Sequence, residues 1–140
     1  MKMSIIVRTG TKLISPFLVV YSFYLMIFGH LNPGGGFQAG VMLASGVVLL
    51  IIAHGHRWIE ESFKPQAVQL LEGISALSIV ILAILGLGFG GFFLNFIPGG
   101  DFGNLLSGGI VPFFNVLVGL EVGGAFTFLF YILLRWVESD

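Results

Sequence analysis

The sequence predicts an all-α integral membrane protein: a single membrane domain over residues 1–140, four transmembrane helices, and both termini cytoplasmic. Three observations carry this. Apolar residues make up 56% of the chain and charged residues 9%, against about 25% charged in soluble domains, so the surface has too little charge to face water. The charged residues separate apolar runs long enough to cross a bilayer, roughly twenty residues each. All six basic residues (Lys2, Arg8, Lys12, Arg57, Lys64 and Arg135) fall at the N-terminus, in the middle connector or near the C-terminus. The positive-inside rule puts those three segments on the cytoplasmic side and the other two loops outside.

Each element follows in order. No Lys, Arg, Asp or Glu occurs from Leu13 to His56. That run holds two spans, broken by the glycine-rich stretch Gly29–Gly40. The first helix is expected over 11–29, with Pro16 in its first turns, where proline is tolerated. The second is expected over 36–55. A basic start and an apolar run also describe a signal peptide, but the run is too long and no small-residue cleavage site with a soluble chain follows it. Arg57–Lys64 forms a charged connector in which Trp58 suits the membrane interface. The third helix is expected over 66–92. Phe93–Gly109 is too glycine-rich to span, and the fourth helix is expected over 110–137. The pattern Pro33-Gly34-Gly35 with Phe37 recurs as Pro98-Gly99-Gly100 with Phe102. Elsewhere the halves do not match, so the echo is weak ground for a repeat.

Composition also excludes. With no Cys there are no disulfides, thiolate metal sites or iron–sulfur ligands. A net charge of -1 gives no reason to expect nucleic acid. No catalytic Ser–His–Asp set, HExxH or phosphate loop is present, so no catalytic residues are assigned. His54 and His56, at i and i+2, point to different helix faces and make a poor metal site. No metal and no cofactor is expected.

The motif residues Gly29, Pro33, Gly34, Gly35, Gly36, Phe37 and Gln38 leave backbone groups bare at the start of the second helix. Two readings stand: a loop whose backbone meets an ion path or a partner, or a tight turn between closely crossing helices. Gly36, Gly40 and Ala44 recur at intervals of four, a small-residue spacing that lets membrane helices approach. Asn115, Gly119, Gly123 and Thr127 do the same on the fourth helix. Glu121 lies about 180° from that stripe at 100° per residue. A carboxyl in mid-helix is costly in lipid, roughly 2.5–3.5 kcal/mol on insertion scales. The fourth helix should therefore need protein on both sides, which argues for partner subunits. Glu121 reads equally as a proton or sodium relay or as an interhelical hydrogen bond. Glu72 is expected at the solvated start of the third helix. His54 is an interface histidine placed for proton shuttling, and His30 opens the outer motif, to orient it or to accept external protons.

The stretch Ser22–Leu50 resembles the MnhB family, a family of small membrane subunits of Mrp-type multisubunit sodium–proton antiporters. The likeness rests on Gly29, His30, Pro33, Gly34, Gly35, Gly36 and Phe37, which match the family's Gly-His-x-x-Pro-Gly-Gly-Gly-Phe core; the signature covers about a fifth of the chain. The resemblance implies a small, cofactor-free, non-catalytic subunit in a prokaryotic cytoplasmic membrane. Its partners would be lipid and the other membrane subunits of an Mrp-like complex, with sodium ions and protons as the transported species. Similar subunits occur in archaeal-type membrane-bound hydrogenase and sulfur-reducing complexes, and Pro112–Gly123 looks more like those relatives. Competing classes are a structural membrane scaffold without ion contact, a membrane enzyme, and a homo-oligomeric channel; the last suffers because no helix carries a repeated polar ladder.

Overall fold

The structure, a computed structural model, describes residues 3–55 and 64–139. It contains four helices: α1 (Ile5–Phe28), α2 (Gly36–His54), α3 (Pro65–Gly88) and α4 (Val111–Ser139). All four are long and apolar enough to cross a membrane, and no strand occurs among the described residues. Arg57–Phe63, with Trp58 and His56, lies outside the described residues.

α1 starts earlier than expected. The Ser4 side chain caps it by accepting from the Val7 amide, which satisfies one of the free donors of the first turn. Pro16 therefore sits in the helix interior, a correction to its expected place in the first turns. Membrane helices tolerate such prolines where neighbours cover the freed carbonyl. α3 ends at Gly88, before the expected residue 92, because Gly90 takes a positive φ of 114°.

The helices do not form a closed square. α4 is the keel: α2 packs along one side of it, α3 along another, and α1 lies mainly on α2. The α2–α4 seam is made by the two small-residue stripes meeting each other. A Cβ at Gly36 would fall 2.5 Å from the Asn115 carbonyl oxygen, and one at Gly40 would fall 2.8 Å from the Gly119 carbonyl and 2.9 Å from the Gly123 amide. Only glycine permits that approach. Ala44 is buried on the same α2 face. Met26 of α1, 1% exposed, fills the space above Gly119 and joins Leu25 and Ala39 in the central cluster. Ser22 donates a 2.7 Å hydrogen bond to the Ala39 carbonyl and ties α1 to α2.

The 89–110 segment is folded, not slack. Phe89 stacks on Phe96 at 5.0 Å, and Phe93 meets Phe114 edge-on at 5.6 Å. The Asn95 side chain accepts from the Ile110 amide at 2.9 Å and donates to the Gly108 carbonyl. It thereby caps the start of α4 from fifteen residues away. Pro98-Gly99-Gly100 leads into turns, whereas Pro33-Gly34-Gly35 leads into α2, so the echo does not extend to structure.

Candidate functional site

Glu121 and Glu72 are brought onto one seam. On α3, Val68, Glu72, Ser75 and Ala83 recur at helical spacing, and Ser75 and Ala83 are buried. This is the stripe that faces α4. On α4 the facing stripe is Leu117, Glu121, Gly124 and Phe128. The anchor is Gly124: a Cβ there would lie 3.2 Å from the Glu72 Cβ and 3.5 Å from the Val68 carbonyl. Glu121 is three residues from Gly124, where neighbouring Cβ positions are about 5–6 Å apart. The two glutamate Cβ atoms are thus separated by at most about 9 Å, within reach of two extended side chains. Both are half-buried, and neither carboxylate has a hydrogen bond or ion pair among the described residues.

Two expectations change here. Glu72 is eight residues into α3, but it lies level with Gly124, about 20 Å from the start of α4. At that level α2 also packs, with Leu43 against Gly123. Glu72 is therefore about two turns inside α3 and packed against α4, not at the helix start; counting along its own helix missed how α3 is set against α4. The need of α4 for protein on two sides is met inside the chain, by α2 on the glycine stripe and α3 on the glutamate face. The inference from α4 to partner subunits does not hold on that ground.

Beside this seam, α2, α3 and α4 line a partly open cavity of about 160 Å³, walled by Leu43, Val47, Val68, Leu71, Thr127 and Tyr131, among others. Thr127 is 7% exposed. A larger apolar groove of about 600 Å³ runs between α3 and α4 under the 89–110 segment, with Ile27 of α1 at its edge.

The glycine motif forms a compact turn between α1 and α2. The Leu31 and Asn32 amides bond the Phe28 carbonyl, and the Asn32 side chain donates to the Tyr24 hydroxyl at 2.8 Å. Gly34 has a φ of 153°, a conformation side chains disfavour. Gly29 lies against the backbone of Gly35. Pro33 and Gln38 are exposed, and Phe37 packs edge-on against Phe126 at 6.5 Å. His30 is turned inward beside Gly108, and both of its ring nitrogens are buried without a hydrogen-bond partner among the described residues. His54 closes α2 at the opposite end, its Nδ1 3.2 Å from the Leu50 carbonyl. The structure keeps His30 and His54 apart from the glutamate pair. No group of three or more His, Asp or Glu able to hold a metal occurs among the described residues. Sequence reasoning missed Ser22, Ser75, Gly124 and Asn95. The first three carry a helical-spacing signal, whereas the role of Asn95 depends on a long-range contact that no local pattern encodes.

Four apolar helices layered about one keel, with a carboxyl pair inside the layer, define a multi-pass membrane protein. The chain belongs to the family of domains related to the MnhB subunit of Na+/H+ antiporters, which matches residues 6–128. It is 36% identical over 90 residues to a Na(+)/H(+) antiporter subunit of Bacillus subtilis, covering 64% of this chain and 62% of that one. It is 32% identical over 118 residues to an uncharacterized protein of Methanocaldococcus jannaschii, covering 77% of this chain and 44% of the relative. The chain thus spans less than two thirds of the length of these curated relatives. Among solved structures it is similar to a chain of the membrane-bound sulfane sulfur reductase, an archaeal respiratory membrane complex. That match has a TM-score of 0.76 and 30% identity, and covers 95% of this chain and 59% of the other.

Proposed function

We propose that this chain is a non-catalytic subunit of an Mrp-type cation–proton antiporter module in a prokaryotic cytoplasmic membrane, and that Glu72 and Glu121 form its proton relay. The family match over residues 6–128 supports the module. The relay reading is supported by the packing of Glu72 on Gly124, three residues from Glu121, with no Lys or Arg between Leu13 and Gly55 or between Gln66 and Leu134 to neutralise the two carboxyls. Carboxyls without a basic partner inside an apolar helix layer are costly and mark ion pathways in membrane proteins.

By this reading the partners are other membrane subunits, sodium ions and protons. Arg8, Lys12, Lys64 and Arg135 gather at the end of the layer opposite the glycine turn, which supports a cytoplasmic location for that end. The glycine turn and His30 then lie outside. A second setting, the membrane arm of a sulfur-reducing respiratory complex, is favoured by the 95% coverage of the reductase match.

Affinity purification of the tagged chain from mild detergent tests the module. Antiporter-like membrane subunits should co-purify. Companion subunits carrying iron–sulfur cysteine motifs would select the respiratory setting, and a chain that purifies alone would contradict both. A structural scaffold differs in predicting that neutralising either glutamate changes nothing.

A further inference from the structure

We propose that Glu72 is a swinging carboxyl that carries protons between Glu121 and a second station, the Thr127-lined cavity. This rests on the relay reading above and adds a station and a direction to it.

The geometry is set by Gly124. Glu72 lies directly over it. Glu121 is three residues from Gly124 toward the glycine turn, and Thr127 is three residues from it toward the opposite end. At 1.5 Å and 100° per residue, each is displaced about 4.5 Å along the axis and about 60° to either side. With glycine between them, no side chain bars the Glu72 carboxyl from moving from one to the other.

Thr127 is the independent sign of a second station. Ser45, Ser75 and Ser78 each donate to the carbonyl four residues back, at 2.8 Å. Thr127, 7% exposed, makes no hydrogen bond among the described residues. It lines the cavity of about 160 Å³, whose other wall holds Val68 and Leu71, the residues beside Glu72 on α3. The Thr127 hydroxyl lines this pocket without a protein hydrogen-bond partner among the described residues, and a carboxyl swung toward it supplies one.

The titratable surroundings are few. Glu121 faces Glu72 from α4, and Tyr131 lines the cavity. α2 offers no titratable group before His54 at its end, and Lys64 and Arg135 lie at the opposite end from the glycine turn. In one position, protonated Glu72 donates its O–H to the Glu121 carboxylate and hands the proton over. In the other, the Glu72 carboxylate accepts the Thr127 O–H and receives a proton from a hydronium ion arriving from the bulk side, which leaves as neutral water. Each transfer breaks one O–H bond and forms another, and no electrons move.

The test is cation-driven proton flux in vesicles holding the assembled complex, normalised to its amount. Thr127→Val, which keeps the shape and removes the hydroxyl, should slow flux about tenfold, the loss of one hydrogen bond to a charged group. Thr127→Ser should stay near wild type and keep its pH profile. Flux at wild-type rate in Thr127→Val with Glu72→Gln slow would overturn the second station and leave the relay standing. Wild-type rates in both would remove the relay as well. If Thr127→Val does not accumulate, infrared spectra of the full chain in lipid nanodiscs decide. The carboxyl band assigned to Glu72 by its loss in Glu72→Gln should show two positions, reduced to one in Gly124→Ala. A single band, unchanged in Gly124→Ala, would refute the swing.

Discussion

The two seams along α4 are built on opposite principles. On the α2 side, glycine meets glycine, backbones touch, and no charged group enters. On the α3 side the contents differ: two carboxyls and a buried serine lie along the seam, with Thr127 and a pocket at its edge. The first seam leaves no room for a second arrangement, since interiors packed to this density resist small changes. The second has both the room and the chemistry for one. A membrane helix that must hold a complex together and also move protons can separate those tasks by face, and the proposed relay assigns them to the two faces of α4.

Breaking the tight seam should have the largest effect. Gly40→Val would drive side-chain atoms into the Gly119 carbonyl and Val122, beyond the 1–3 kcal/mol typical of overpacking; loss of the chain from membranes by immunoblot is the expected outcome. Met26→Ala empties the site above Gly119 and should cost about 2–5 kcal/mol, seen as a lower unfolding temperature in detergent with the fold retained. Asn95→Ala removes a remote cap and should cost about 1 kcal/mol, detected as faster amide exchange at the start of α4. Ser22→Ala deletes one interhelical hydrogen bond, worth about 0.6 kcal/mol in membranes, and should leave assembly unchanged. A large loss from Ser22→Ala would mean that polar contacts, and not glycine packing, hold the tight side.

Much of this was legible in the sequence, but unevenly. The four spans follow from the placement of charge, because lipid admits so few alternatives. The stripes of Gly36 and Gly40 and of Gly119 and Gly123 were visible as spacing. That they face each other was not, because spacing marks a close approach without naming the partner. Glu121 could be seen to lie opposite its stripe. The packing of Glu72 on Gly124 was not legible, because it depends on how α3 is set against α4, which no single-helix pattern contains. Asn95 and Gly108 were invisible for a related reason, since their contact closes a loop between distant residues.

The contrast between a fixed seam and a proposed relay seam rests most directly on the glutamates. The decisive measurement is proton-coupled cation exchange per assembled complex in membrane vesicles, with Glu121→Gln and Glu72→Gln made singly and together. Each single change should slow exchange at least about tenfold with normal assembly, and the pair should be no worse than the more severe single, as expected of groups acting as one unit. Wild-type exchange in Glu121→Gln, or assembly lost in step with exchange, would contradict the account.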